Sequence, residues 1–411
     1  MAWSEKVDVV VIHSPQGTCQ CGLQTNQGTV TQVEKRQVLE LPSMQFVVIE
    51  HRRETRVCTC GLEHQGCFSV GVENKIQYGN QVRGLATYFM NTQFMSLIRV
   101  QTYFIEVHKL EISQGSLVNW QEKTFQALAG VEQQIGQALV QTQVAHADET
   151  GIHVNGKLQW WHTFSTTLLT HYHVSPHRGL KGLQSGGLLE LFKGVLIHDC
   201  WVAYFQLSCG HGLCNAHLIR ELTRVFETTK QFWALELKTL LRTMKASVEA
   251  DLIGTSCLSL ETRLVLQDEF QALVTRGLLE NPIVVRDAQT TTKRGGVKQS
   301  FARCLLVRLR DHESSWLRFL FDARVSFDNN LAEREQPARC YFVSKKRDVR
   351  MVKVREKVLG GSRGAGAVWF ARIRGYISTL RKQDQGVYAA LIQVFAGDLV
   401  LPASLVLPNT S

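Results

Sequence analysis

The sequence has little that is typical of a membrane or secreted protein. No apolar run is both long and unbroken enough to cross a bilayer, which takes about 20 residues. The run 391–408, for example, is interrupted by Asp398, Pro402 and Pro408. The first residues include acids and lack the basic-then-apolar pattern of a signal peptide. We therefore expect a cytoplasmic protein with a packed core and no membrane partner.

The eleven cysteines do not indicate a disulfide framework, because their number is odd and no secretion signal is present. Cys19 and Cys21 form one close pair, and Cys58 and Cys60 form another. We predict β-hairpins in residues 1–75 with these pairs at their tips, a zinc-ribbon-like module whose four thiolates bind Zn2+. Because Cys-x-Cys is tighter than the usual Cys-x2-Cys, two unrelated pairs of buried or vestigial cysteines are the alternative.

The pattern along the chain predicts an α/β protein of four regions. Residues 1–75 form the zinc-ribbon-like DNA-binding module, and residues 76–142, with helical spacing, form a connector that is also a candidate for DNA binding. Residues 143–370 form the catalytic domain, with a helical insertion at about 213–320. Residues 371–411 form a basic C-terminal helical tail.

Three acids lie where a catalytic core needs them. Asp148 ends the apolar run VAHADET, Asp199 ends the apolar strand GVLIHD, and Glu333 lies in a helix opened by FDNN. A ribonuclease-H-like core is expected to contain a strand, two hairpin strands and a further strand, followed later by a helix. The predicted elements occur in this order. Carboxylates that converge in this way can hold two Mg2+ or Mn2+ ions about 3.5–4 Å apart, which activate a nucleophilic oxygen and stabilise a leaving one. The pattern predicts phosphoryl transfer.

Four polar neighbours of these acids have alternative interpretations. Glu149 supports strand geometry or a hydrogen bond rather than catalysis, and Asp328 caps the helix that follows it. His146 and His198 either orient a carboxylate or are hydrogen-bonded core histidines.

A compact cluster of Cys209, His211, Cys214 and His217 opens the helical insertion. Soft, closely spaced donors of this kind can bind Zn2+. A packing role, with Cys214 and His217 on one helical face, is the alternative. Both remain open from the sequence.

The positive charge of the chain is concentrated near its end. Residues 333–382 contain fourteen Lys and Arg against four Asp and Glu, a surplus equal to the net charge of +10 of the whole chain. Such a block favours DNA as a partner, and a solvated surface is the alternative. The predicted DNA-binding residues are Arg334, Arg350, Lys353, Arg355, Lys357 and Arg363.

Four segments also resemble a known family. They are HADETGIHVNGKLQWWH (146–162), FKGVLIHDCWVAYF (192–205), CGHGLCNAHLIREL (209–222) and FDNNLAER (327–334). These segments are similar to those of the transposases of insertion-sequence family 66, and the resemblance extends over about residues 15–395.

The resemblance implies that Asp148, Asp199 and Glu333 form the metal-binding triad. Members of the family cut and join the ends of their own element, usually beside small accessory proteins encoded with them. The implied partners are therefore terminal inverted repeats, target DNA, accessory proteins and further copies of the chain on the DNA. Such a protein is expected at the bacterial nucleoid.

The sequence departs from the family at 335–347, which reads as an insertion after Glu333 and includes Pro337. Proline breaks a helix, so we expect the catalytic helix to end near Glu335. Three hypotheses remain: an active transposase, a DNA-binding relic that cannot cut, and a zinc-dependent hydrolase that uses the Cys/His clusters. Acids at strand ends favour phosphoryl chemistry, whereas only the insertion favours the relic.

Overall fold

A mixed five-stranded sheet with helices on both faces forms the centre of the protein. The computed structural model describes residues 5–21, 24–27, 30–39, 46–154, 157–254, 258–284, 297–334 and 365–406, with the backbone alone at positions 27, 333, 334, 365 and 406. Within these ranges no helix has the length and apolar composition needed to cross a bilayer.

The N-terminal part contains the hairpin that the cysteine spacing predicts. Strands β1 (Thr55–Val57) and β2 (Glu63–Gln65) pair antiparallel, and Cys58 and Cys60 lie in the turn between them. The turn is closed by the Cys58 amide, which donates to the Leu62 carbonyl at 2.8 Å. Both strands are exposed along their whole length, so local hydrogen bonds rather than a core define this hairpin.

The central sheet has the strand order β5-β4-β3-β6-β7. Its strands are β3 (Val144–Val154), β4 (Lys157–Ser165), β5 (Thr170–Ser175), β6 (Val195–His198) and β7 (Gly210–Leu213). The first three form an antiparallel meander, and β6 and β7 each run parallel to the neighbour on their β3 side. The predicted order of strand, two hairpin strands and strand is confirmed.

Strand β6 is buried on both faces, which explains its continuous apolar sequence. Side chains alternate along a strand. Val195 and Ile197 accordingly pack into one hydrophobic core with the helices of the insertion, and Leu196 packs into a second core on the opposite face. The sheet therefore lies between two helical layers.

The predicted helical insertion is present and lies between β7 and the segment that carries Glu333. Its helices are α7 (Asn215–Thr229), α8 (Phe232–Leu252), α9 (Leu260–Glu280), α10 (Phe301–Asp311), α11 (Glu313–Trp316) and α12 (Arg318–Phe321). Trp233, Met244 and Phe270 are fully buried among them. Burial of aromatic side chains of this size stabilises the insertion as a packed unit.

The second layer combines helices from before, between and after the strands of the sheet. They are α1 (Asn80–Thr92), α2 (Leu97–His108), α3 (Gln114–Ala127), α4 (Ala129–Val140), α5 (Leu180–Ser185), α6 (Leu188–Leu191), α14 (Ala365–Lys382), α15 (Val387–Ala396) and α16 (Ala403–Val406). Helix α13 (Asn330–Arg334) packs against β3 and β4. Helix α14 packs on β5, where the Thr170 amide donates to Thr379 Oγ1 at 3.0 Å.

The region predicted as a basic tail is in fact part of the core. Ile373, Ile377 and Leu380 of α14 are completely buried. Two arginines of the same helix satisfy backbone carbonyls near the ends of other helices, which lack partners within their own helix. Arg372 donates to the Phe125 carbonyl of α3 at 2.8 Å, and Arg374 donates to the Asn91 carbonyl of α1 at 3.2 Å. These two charges have a structural role.

Candidate active site

The sheet brings Asp148 and Asp199 to the same place. Strands β3 and β6 pair in parallel with His146 opposite Ile197. Asp148 lies two residues further along β3, and Asp199 is the first residue after β6. The two aspartates therefore lie near each other where the paired segment of β3 and β6 ends. The prediction from the sequence that strand β3 ends at Asp148 is wrong. Strand β3 continues to Val154 because it stays paired with β4 beyond the point where β6 stops.

Each aspartate is fixed by the backbone around it. One carboxylate oxygen of Asp148 accepts from the Glu149 amide at 2.9 Å, and one of Asp199 accepts from the Trp201 amide at 3.2 Å. Hydrogen bonds to the charged form favour an ionised carboxylate. Both side chains are thus suited to act as anionic ligands.

Asn329 attaches the start of the helix that carries Glu333 to strand β3. Its side chain is almost completely buried, donates to the Ala147 carbonyl at 2.8 Å and accepts from His146 Nδ1 at 2.9 Å. Four residues after this attachment, α13 contains Glu333. The structure therefore brings the backbone of the predicted third ligand to the strand of Asp148, while the Glu333 carboxylate lies outside the described side chains.

The neighbouring cap is also confirmed. Asp328 accepts from the Asn330 amide at 3.0 Å, as expected of a capping side chain at the first turn of α13. Asp328 is thereby occupied at the helix start.

Glu149 is a fourth acid in this region, and its side chain is only 1% exposed. It accepts from the Tyr204 hydroxyl at 2.7 Å and pairs with Arg178 at 3.0 Å. Burial, together with the charge of Asp199, raises the pKa of Glu149 to about 7, against the lowering effect of its hydrogen bonds to Tyr204 and Arg178. The Glu149 carboxyl group therefore lies close enough to Asp199 for their charges to interact.

Tyr204 gives independent support for the grouping of the acids. Burial raises its pKa well above the usual value, and the charges of Glu149, Asp148 and Asp199 raise it in the same direction. The hydroxyl consequently stays protonated and donates to Glu149. Tyr204 and Arg178, the two partners of Glu149, were not recognised from the sequence, because both contacts join residues that are distant along the chain.

Both histidines beside the aspartates are buried and hydrogen-bonded. Burial lowers the pKa of His146 to about 4 and that of His198 to about 3, so both are neutral. His198 stacks on Tyr204 and bonds to His211 Nδ1 at 3.1 Å and to the Asp199 carbonyl. These contacts support the interpretation of both as hydrogen-bonded core histidines.

The Cys209, His211, Cys214 and His217 cluster is not assembled as a metal site. Cys214 is completely buried, and its sulfur accepts from the Asn329 amide at 3.2 Å, whereas His211 bonds to His198 on the neighbouring strand. Across the described ranges no three His, Cys, Asp or Glu side chains are arranged to hold a metal ion. These partners support the packing interpretation of the cluster, and its zinc interpretation stays a prediction.

The two N-terminal cysteine pairs are exposed, each at a turn. Thr18 and Gln24 form a bridge that closes the chain around Cys19 and Cys21. Hydrogen bonds between the members of each pair lower the pKa of Cys19 and of Cys58. Formation of a thiolate, which metal binding requires, is thereby favoured.

The predicted DNA-binding residues fall largely beyond the described part. Residues 335–364, with the insertion 335–347 and the positions Arg350, Lys353, Arg355, Lys357 and Arg363, lie outside the described residues. Arg334 is the last residue of α13 and is described by its backbone only. The predicted contacts with DNA stay predictions.

Comparison with known protein families gave two matches. The model of the family described as transposase IS66 matches residues 75–363, a segment that contains the sheet, both aspartates and Glu333. The model of the zinc-finger binding domain of transposase IS66 matches residues 16–61, which contain both cysteine pairs. Comparison with curated proteins gave no match.

The matches define the class of the protein as a transposase. Since the first match covers well over half of the chain, the protein belongs to the IS66 family.

Proposed function

We propose that the protein is a DNA transposase that cuts and joins the ends of an insertion sequence by two-metal phosphoryl transfer at Asp148, Asp199 and Glu333. The parallel pairing of β3 and β6, which leads to Asp148 on β3 and to Asp199 directly after β6, is the observation that carries this proposal. The attachment of the Glu333 helix to β3 through Asn329 supports the third ligand.

The sheet supports a ribonuclease-H-like core. An antiparallel meander of three strands is followed by two strands parallel to the first, and the acids lie on the first and fourth strands. The helix with the third acid follows after an insertion. This is the order that we expect of such a core.

The donor set fits Mg2+ or Mn2+, which prefer carboxylate oxygens. Two such ions, when bound, activate the attacking oxygen and stabilise the leaving oxygen of the phosphodiester. The chain itself supplies the rigidity: backbone amides hold Asp148 and Asp199, and Asn329 holds α13. Metal-site geometry tolerates an error of only about 0.5 Å, so this support is required for activity.

The N-terminal module is proposed to bind Zn2+ through Cys19, Cys21, Cys58 and Cys60. The match to the zinc-finger binding domain and the tetrahedral preference of zinc for thiolates support this assignment. The module and the basic residues Arg334, Arg350, Lys353, Arg355, Lys357 and Arg363 are proposed to contact DNA. Terminal inverted repeats, target DNA, accessory proteins and further copies of the chain are the proposed partners.

A cleavage assay tests the function. Purified protein is incubated with labelled DNA that carries the inverted repeats flanking its gene, with Mg2+ or Mn2+ and with EDTA. We expect metal-dependent cutting, and we expect Asp148→Asn, Asp199→Asn and Glu333→Gln each to lower the rate by at least about a hundredfold, because metal ligands matter more than their supporting residues.

Asp328→Asn is the matched control, since asparagine caps a helix as well as aspartate does and the acid lies in the same motif. It should cut at nearly the parental rate. If Asp199→Asn cuts at the parental rate, the assignment of Asp199 as a metal ligand is wrong. A parent that binds these ends but cuts none of them would favour the relic.

A further inference from the structure

Close to the acids, an arginine is held between two tryptophans. The guanidinium carbon of Arg178 lies 4.7 Å from the ring centre of Trp160 and 4.6 Å from that of Trp201. Arginine between two indole faces makes two cation–π contacts. We call these three residues the Trp–Arg–Trp stack.

The stack lies at the surface, and its Trp201 also packs against the buried residues of the second core. The Arg178 side chain is 47% exposed, and both tryptophans are half-buried. By contrast Trp161, the next residue on β4, is buried against Tyr172 and Phe370. Two neighbouring tryptophans of one strand thus have different roles, and packing of the core accounts for only one of them.

Glu149 holds the stack in position. It accepts from Arg178 Nε at 3.2 Å and from Nη2 at 3.0 Å through one oxygen. The other oxygen accepts from Tyr204. Arginine has five donors, so this pairing leaves the guanidinium capacity for another acceptor.

The location of the stack relates it to the catalytic acids. Trp201 is two residues beyond Asp199, and its amide donates to that carboxylate. Glu149 follows Asp148 on β3, and because side chains alternate it faces the opposite side of the sheet. The stack therefore lies next to the two aspartates but on the other side of the sheet.

We propose that the Trp–Arg–Trp stack is a subsite for an unpaired nucleotide of the DNA strand that flanks the bond cut at Asp148 and Asp199. Indole rings stack on any base, and a planar guanidinium binds phosphate. The surface therefore complements both parts of a nucleotide whose base has left the duplex. This inference rests on the proposed function and adds to it a preference for unpaired DNA ends.

Equilibrium binding tests the subsite without cleavage. Fluorescence anisotropy measures the dissociation constants of a single-stranded oligonucleotide of mixed sequence and of a blunt duplex of the same length, at one salt concentration, since phosphate contacts depend on salt. Trp201→Ala and Trp160→Ala should each weaken single-strand binding between about fivefold and about a hundredfold, the range for loss of one stacked base. Duplex binding should change less than about twofold.

Two further variants separate stacking from folding. Trp201→Phe keeps an aromatic face and should retain most of the affinity, whereas Arg178→Lys keeps the charge but loses the planar group and should weaken single-strand binding. Trp369→Ala, which removes a half-buried tryptophan of α14 that contacts Phe125, is the matched control and should leave both constants unchanged. Thermal melting of every variant identifies loss of fold.

The outcomes distinguish this inference from the proposed function. If the parent cuts element ends but the tryptophan variants bind single strands as the parent does, the subsite is absent and the function stands. If folded Trp201→Ala and Trp201→Phe lose single-strand and duplex binding equally, the stack serves general binding and the inference fails. A parent that binds no DNA overturns both.

Discussion

Replacing Asn329 with alanine should destabilise the protein and disturb the site beyond the loss of stability. The variant leaves the Ala147 carbonyl and the His146 ring N–H buried without their partner. A buried polar group without a hydrogen bond costs about 1–3 kcal/mol, so we expect the free energy of unfolding to fall by about 2–6 kcal/mol. No other described side chain accepts from His146 Nδ1 in its place.

Urea denaturation followed by circular dichroism measures the free energy of unfolding. Asn330→Ala is the matched control, because Asn330 is the next residue, is half-buried and has the same side chain. Because Asn330 is only partly buried, its replacement by alanine should change the free energy of unfolding by no more than about 0.5 kcal/mol.

The effect on activity should exceed the effect on folding. At a temperature where Asn329→Ala is still folded, the start of α13 is no longer attached to β3, so Glu333 is positioned less well relative to Asp148. We expect cleavage to fall by about ten- to a hundredfold, the usual consequence of losing a residue that supports a metal ligand. An Asn329→Ala variant within about 0.5 kcal/mol of the parent, with full activity, would refute this reasoning.

Two further predictions concern stability. Burial lowers the pKa of four histidines to about 3 or 4. They are His146, His162, His171 and His198. Since the unfolded chain protonates below about pH 6.5, the free energy of unfolding should fall as pH drops from 6.5 towards 4, by up to about 1.4 kcal/mol per unit for each histidine. Glu149, whose pKa is raised to about 7, offsets one of them in the same window. A urea midpoint that does not fall between pH 7 and pH 5 would contradict this. Gly84→Val should lower the free energy of unfolding by about 1–3 kcal/mol, because a Cβ at this position would lie 2.7 Å from Ile392 Cγ1. The control is Gly130→Ala, where a Cβ would have no atom within 4 Å, so this variant should be as stable as the parent or more stable. Thermal melting measures both.

The strands around the site could be predicted because their sequence patterns are local. Short apolar and β-branched runs indicated β4, β5 and β6, and the acid after β6 followed from the same run. The length of β3 was not predictable in this way. Its second half is paired on one side only and is partly polar, so no apolar run marks it.

The supporting residues could not be predicted because their partners are distant along the chain. Asn329 contacts residues more than 180 positions away, and Tyr204 contacts Glu149 across 55 positions. A sequence spacing fixes which side chains share one strand or helix, but not which element packs next to it. The tryptophans of the stack lay within the motifs quoted from the sequence, yet only the fold shows that Arg178 lies between them.

The Cys/His cluster shows that closeness in sequence does not predict which side chains meet in the fold. Four donors within nine positions suggested a metal site, but spacing does not determine the direction of each side chain. Cys214 begins α7 and contacts Asn329, whereas His211 lies on β7 beside His198. Close donors in sequence become a metal site only when one element, or a turn, directs them to a common point.

The net charge of a segment does not show which of its basic residues are free to bind DNA until the fold is known. The basic block ends with Arg372, Arg374 and their neighbours in α14, and those two arginines bind helix carbonyls in the core. Such arginines are unavailable to DNA, and their loss would lower stability rather than the salt dependence of DNA binding. The electrostatic contribution to DNA binding must therefore come from other cations, foremost the predicted residues between 334 and 363. Neutralising one phosphate contact there should reduce the salt slope by about one unit, whereas Arg374→Met should leave the slope unchanged and shift only the melting temperature.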